Sequence, residues 1–354
     1  MGAQLMSLAA VLGVSFLAAV ALVPLAGRLG RRLDFVDRPR RGEVQTAAVP
    51  RTGGYGMVGA CAVGVAVSIL LVPRLGDEYP RLQGLLLGAA LLLPAAFVDD
   101  WKRLPPIPQL LWQIAAAFVP ISFGITFDSL ANPLGGILPL PAVLVVPATL
   151  IWIVGMINTL NLTDTMDGLA AGVATIAALV LAGVSLQNGQ ISIASLALAL
   201  AGATAGFLIF NFHPARIFMG SSGSLFLGYT LGVLAIIGGA KIAAAIMVLG
   251  LPILDVAWVI VYRLMRGRSP LRGGDAAHLP HKLLALGLSQ RAVALVLYGV
   301  CFLFGALALV LTRLEKLYGF GLLGLVAVAL MAIAAQRSPD RHLADHGPSR
   351  QSEL

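Results

Sequence analysis

The stretch Leu150-Ile-Trp-Ile-Val-Gly-Met-Ile157 carries no charge and runs directly into Asn158-Thr-Leu-Asn161-Leu-Thr-Asp164-Thr-Met-Asp167-Gly168. Four amide or acid side chains follow an apolar run at steps of three. In an unbroken helix each such step falls about 60° short of a full turn, so the four would fan over half the circumference. They can converge only if the helix breaks near Asp164–Gly168, with Asp167 or Thr165 capping the span that begins at Gly168. A break of this kind is tolerated in a membrane protein where irregular backbone lines a polar pocket. The alternative is an ordinary polar loop, which rarely spaces Asn and Asp so evenly.

The rest of the chain supports the membrane reading. Of 354 residues, 58% are hydrophobic and 11% charged, which excludes an ordinary soluble domain at about 25% charge. Apolar runs long enough to cross hydrocarbon lie near 5–27, 54–73, 82–98, 107–126, 137–157, 168–186, 191–210, 224–239, 242–262, 290–312 and 317–335. The run at 137–157 is Pro-rich at its start and 224–239 is short. Because the runs are continuous rather than alternating, the expected fold is an all-α polytopic membrane protein of about eleven transmembrane helices, not a barrel. Residues 1–336 form one transmembrane domain and 337–354 a polar tail. Cys61 and Cys301 both fall in apolar runs and suggest neither a disulfide framework nor a zinc site.

Charge sets the expected topology. On taking alternate connections as one side, 19 of the 24 Lys and Arg fall together, and Arg74, Arg81, Lys241, Arg313 and Lys316 fall on the other side. The first side is therefore expected in the cytoplasm, with the N-terminus outside and the C-terminus inside. The segment Met1–Ser7 has no Lys or Arg and Arg28, Arg31 and Arg32 follow the first span, which fits a retained span better than a signal peptide. Nearly every Asp, Asn and His lies on the same side as the cations, so the chemistry is expected at the cytoplasmic membrane face.

Three further constellations share that face. Asp99 and Asp100 end the third span just before Trp101-Lys102-Arg103. Acids beside a helix C-terminus oppose its dipole, so they read as a solvated helix end balanced by the cations, or as a metal, proton or cation site. The run Phe210-Asn211 through Phe218-Met-Gly220-Ser221-Ser-Gly-Ser224 leads into the eighth span, where backbone N–H groups and a positive dipole end offer a phosphate seat. Phe218 would stack on a base or sit in lipid. The largest polar connection holds Arg263, Arg266, Arg268 and Arg272 ahead of His278 and His281. The arginines alone read as a positive-inside anchor. Pro280 fits the first turn of a helix, placing His281 near its N-terminus and His278 just outside, with phosphate or sugar contacts expected rather than zinc.

Taken together, these residues resemble the polyprenyl-phosphate N-acetylhexosamine-1-phosphate transferases, the group containing undecaprenyl-phosphate GlcNAc-1-phosphate transferases and phospho-MurNAc-pentapeptide translocase. The resemblance rests on Asp37-Arg-Pro39 with Pro50-Arg51-Thr-Gly53-Gly54, Val98-Asp99-Asp100-Trp-Lys-Arg-Leu-Pro105, the Asn158–Gly168 run, Asn211 through Ser224, and Pro252-Ile-Leu-Asp255 followed by the Arg/His loop. It implies attack of a carrier phosphate on the β-phosphate of a UDP-N-acetylhexosamine. UMP would leave, and the lipid-linked diphosphate sugar would serve cell-wall or surface-glycan synthesis at the bacterial inner membrane. It implies Mg²⁺, or Mn²⁺ in its place. Asp99, Asp100 and Asp167 would be the catalytic carboxylates, the first pair serving the carrier phosphate. Asn161 would help hold the metal with the residue at 221. Asp164, Asp167, Asn211 and Phe218 would hold the uridine, and Arg272, His278 and His281 the pyrophosphate and sugar. The expected partners are UDP-N-acetylhexosamine, polyprenyl phosphate, membrane lipids and a second copy of the chain, with no nucleic acid.

Three positions depart from the family pattern. Its usual Met-Gly-Asp-Ser-Gly-Ser carries a metal-binding Asp where this chain has Ser221, a neutral hydroxyl that substitutes poorly on a hard dication. An early Arg-Lys-x-His reads Gly42, Glu43 and Gln45 here, and a middle His of His-x-His-His is Pro280. The expectation is therefore a chain that binds both substrates and turns over poorly. The rival readings are a non-catalytic binder of nucleotide sugar or lipid carrier, and a transporter. A transporter predicts polar groups near the midplane rather than crowded on one face.

Overall fold

The computed structural model describes residues 2–38, 48–132, 136–237, 241–267, 269 and 278–336. Along them run α1 (Gly2–Arg32), β1 (Val36–Asp37), β2 (Val49–Pro50), α2 (Gly53–Leu71), α3 (Glu78–Lys102), α4 (Pro106–Ser122), β3 (Ser129–Ala131), β4 (Ile137–Pro139), α5 (Ala142–Thr163), α6 (Leu169–Gln187), α7 (Ile191–Asn211), α8 (Gly220–Ile236), α9 (Ile242–Met265), α10 (Leu279–Ala285), α11 (Gln290–Val310) and α12 (Arg313–Gln336). Each apolar run of the sequence becomes a helix, and α10 is the addition, two turns long and too short to cross. Among the described residues nine helices are long and apolar enough to span a membrane, and α8 is a shorter apolar helix. The chain is thus an all-α polytopic membrane protein.

Two boundaries move for physical reasons. The Pro-rich start of the fifth run is not helical: Ile137–Pro139 pairs antiparallel with Ser129–Ala131, and α5 begins after Pro141. The eighth helix begins at Gly220, so the Gly/Ser segment is its first turn rather than a loop before it.

The predicted break in the deciding stretch is present. Helix α5 ends at Thr163, and α6 starts after Gly168, whose φ of +78° only glycine adopts freely. The predicted side-chain cap is not, since neither Asp167 nor Thr165 caps α6 and Gly168 itself occupies the N-cap. The Asp167 carboxylate is committed to the next loop, as described below.

Helices α6 and α7 are the most enclosed spans and α12 the least. Small residues let α7 approach α1 closely: a Cβ on Gly206 would come 2.7 Å from Ala19 Cβ and from the Phe16 carbonyl oxygen. Ser15 Oγ joins the same interface, 2.6 Å from the Ala199 carbonyl oxygen. Away from these contacts the surface is apolar, with Leu17, Leu70, Val143, Ile151 and Phe302 all well exposed. Such faces are stable against lipid and costly against water. The C-terminal ends of α3, α5 and α7 and the N-terminal ends of α6 and α8 meet at one end of the bundle, and the functional residues gather there.

Candidate active site

The site is assembled by backbone zippering. Phe218 N–H donates to the Pro50 carbonyl (2.8 Å), and Gly53 and Gly54 N–H donate to the Phe218 and Met219 carbonyls (3.0 and 2.9 Å). This stitches the segment before α8 onto the start of α2. Gly220 turns into α8 at φ +70°, and a Cβ there would lie 2.6 Å from the Arg51 carbonyl oxygen and 2.7 Å from Asp100 Oδ1.

Asp100 closes the arrangement. Its Oδ1 accepts from Ser221 N–H (2.6 Å), and its Oδ2 accepts from Ser222 N–H (3.1 Å) and from Tyr55 Oη (3.1 Å). The acid that its own helix dipole disfavours is stabilised by the positive end of α8. The expected phosphate seat at the Gly/Ser segment is thereby corrected, because the amides of that first turn already hold a carboxylate of the same chain. Asp99 accepts from Leu104 N–H (2.8 Å) and from the Ser221 hydroxyl. Asn161 donates through Nδ2 to Ser224 Oγ (3.0 Å), tying α5 to α8.

A second set of bonds fixes the loops around this core. Asp167 Oδ2 is 2.8 Å from His213 Nδ1 and accepts from Ala215 N–H at 3.0 Å. Asn211 accepts from Gly168 N–H (3.1 Å) and donates to the Ile217 carbonyl (3.0 Å), bridging the α5–α6 and α7–α8 connections. From outside, Tyr298 Oη donates to the Gly168 carbonyl (2.5 Å) and Arg291 Nε to the His213 carbonyl (2.9 Å), so α11 grips both loops.

These elements enclose a cavity of about 430 Å³. Asp99, Asp100, Asn161, Asp164, Asp167, Asn211, Phe218 and Ser221 all line it, with Asp37, Arg51 and Arg103 beside them. Residues drawn from positions 99 to 221 thus converge on one polar chamber at the end of an apolar bundle.

Residues 82–239 match the family model described as glycosyl transferase family 4. Over 311 residues the chain is 34% identical to the probable undecaprenyl-phosphate N-acetylglucosaminyl 1-phosphate transferase of Bacillus subtilis (strain 168), covering 84% of this chain and 83% of that protein. The chain belongs to glycosyl transferase family 4. Other members are similar too: the decaprenyl-phosphate N-acetylglucosaminephosphotransferase of Mycolicibacterium smegmatis is 33% identical, over 76% of this chain and 73% of the relative. The phospho-N-acetylmuramoyl-pentapeptide-transferase of Desulforamulus reducens is 30% identical over 84% and 93%.

Within this family 4 glycosyl transferase, not every residue singled out in the sequence reaches the chamber. His278 is buried and forms a pair with Asp255, its Nδ1 2.8 Å from Oδ2, while Leu279 N–H donates to Asp255 Oδ1 at 2.7 Å. It is the N-cap of α10, as its place before Pro280 suggested. His281 lies in α10, where burial and the neighbouring His278 lower its pKa against the opposing pull of Asp255. Neither histidine is among the residues lining the cavity. Arg272 lies outside the described residues. Asp164, just past the end of α5, is pushed up to about 7 by burial and by the charges of Asp100 and Asp167.

Sequence reasoning missed Tyr55, His213, Arg291 and Tyr298. His213 lies inside the Asn211–Ser224 motif and was therefore findable. Tyr55 follows the Gly53-Gly54 pair, but nothing in its spacing announces that it faces an acid on another helix. Arg291 and Tyr298 read only as a border cation and a span residue.

Proposed function

We propose that this chain transfers N-acetylhexosamine 1-phosphate from a UDP-sugar to polyprenyl phosphate, releasing UMP at the cytoplasmic face of a bacterial inner membrane. The observation that carries the reading is the convergence of acids, amides and an aromatic ring on one cavity at the end of the bundle where the expected cytoplasmic connections meet. Kinship with transferases named for undecaprenyl and decaprenyl phosphate supports the lipid acceptor.

In this reading an oxygen of the carrier phosphate attacks the β-phosphate, the bond to UMP breaks, and UMP leaves with the electron pair. Asp99 and Asp100 orient the carrier phosphate and take its proton where it carries one. Asp100 is suited to positioning because three hydrogen bonds fix its oxygens. Asp164, Asp167, Asn211 and Phe218 hold the nucleoside end, with Phe218 stacking on the base. Asp167 also keeps the α7–α8 loop in place through His213 and Ala215.

Among the described residues no three acid, His or Cys side chains cluster as a ready metal site, so a hard dication would be held in part by amide and hydroxyl oxygens. Asp99, Asp100 and Asn161 bring oxygen ligands to one cavity, and Ser221 adds a neutral hydroxyl. When bound, Mg²⁺ would neutralise phosphate charge that the acids alone repel.

Ser221 limits the catalyst, because its hydroxyl is already engaged by Asp99 and carries no charge. This favours a second reading, in which the chain binds both substrates and turns over slowly or not at all. Mg²⁺-dependent UMP release with undecaprenyl phosphate and a panel of UDP-sugars tests both. Ser221→Asp is expected to raise kcat at least tenfold. Equal rates in the two forms would reject the impairment, and absence of UMP release from both would leave only the binder.

A further inference from the structure

We infer that Arg103 is a cation that grips substrate phosphate in this cavity, an assignment that rests on the transferase reading above. Two phosphate-bearing substrates must enter a chamber whose walls include Asp37, Asp99, Asp100, Asp164 and Asp167. Among the described residues that line the cavity, three sources of positive charge are candidates to receive them. The first, the N-terminus of α8, is occupied, because Ser221 and Ser222 donate to Asp100. The second, Arg51, lines the cavity but is bound to Asp37 at 2.8 Å, with about 30% of each side chain exposed. The third is Arg103, which lines the same cavity and makes no ion pair or side-chain hydrogen bond with the described residues.

The backbone around Arg103 points the same way. It is the C-cap of α3 with φ +52° and ψ 90°, a left-handed conformation in which an arginine is strained and a glycine is not. Its N–H donates to the Asp99 carbonyl at 2.9 Å, and the next N–H, of Leu104, donates to the Asp99 carboxylate at 2.8 Å. The turn that carries Arg103 is thus pinned to one of the two acids proposed to handle the carrier phosphate. Arginine offers a planar fork suited to two phosphate oxygens, which lysine does not. The anion is a phosphate, from either the donor diphosphate or the lipid acceptor.

The test uses the full chain in nanodiscs, with Kd measured for UDP-GlcNAc and for undecaprenyl phosphate, alongside the thermal midpoint. Arg103→Gln is expected to weaken one of the two ligands about ten- to hundredfold, the range for a charge-assisted hydrogen bond. Arg103→Lys should recover part of the loss. Arg103→Gly, which relieves the left-handed turn, should melt no lower than the parent yet bind as weakly as Arg103→Gln. The ligand that responds identifies the phosphate gripped. Parental affinity for both ligands in Arg103→Gly overturns the assignment, whatever the folding of the other variants. A parent that binds neither ligand overturns this assignment and the transferase reading together.

Discussion

At Asp164, burial and two neighbouring acids push a carboxyl from about 4 in water to about 7. The folded chain therefore keeps a proton that the unfolded chain releases between those values, so this group makes stability fall as pH rises from about 4 to about 7. Asp164→Asn should flatten that slope, read as thermal midpoints in metal-free buffer between pH 5 and 8; an unchanged slope would argue against the crowding. The residue scale is also where the sequence was most legible. Asn161, Asp164 and Asp167 announce themselves by spacing, and Asp99 and Asp100 by lying where a helix end disfavours them. The compensation for Asp100 was illegible, because the amides that supply it lie 121 and 122 residues away.

Among the elements, α11 has the role least visible in composition. Tyr298 reaches Gly168 and Arg291 reaches His213, so a single span steadies both loops of the cavity. Tyr298→Phe keeps the ring against Gly172 and removes one hydrogen bond to the carbonyl of the turn residue. We expect nucleotide-sugar affinity to fall about three- to tenfold, in line with about 1 kcal/mol for such a bond, with the thermal midpoint nearly unchanged and affinity for polyprenyl phosphate preserved. An equal loss for both substrates would point to general loosening of the bundle. The helices themselves were legible because each needs about twenty apolar residues. The errors came where a proline-rich start formed a hairpin strand and where Gly220–Ser224, polar and flexible by composition, was drawn into α8 by its zipper to Pro50–Gly54.

For the whole molecule, polarity is distributed by end. The cavity gathers the connections that follow α3, α5 and α7, and the far end carries a self-contained network in which Arg74 donates to Ser68, Ser68 pairs with Ser195, and Ser192 donates to Glu78. Both cysteines are buried, so a single introduced cysteine can be read against a quiet background. A membrane-impermeant maleimide should label Ser129→Cys in intact cells and Arg216→Cys only in inverted vesicles. The reverse pattern would place the chamber on the outer face. Charge bias alone supplies the expected sidedness that this labelling checks, whereas the joining of distant loops into one chamber depends on three-dimensional contacts that no local pattern encodes.

Asp100, seated in the first turn of α8, behaves as an internal ligand of its own fold. Exchanging it for a neutral residue would do two things at once, deleting an acid and uncovering a vacant anion receptor built from main-chain amides. Loss of turnover in such a variant would therefore not by itself identify a proton acceptor, since a product or buffer anion lodged in the uncovered receptor could inhibit it just as effectively.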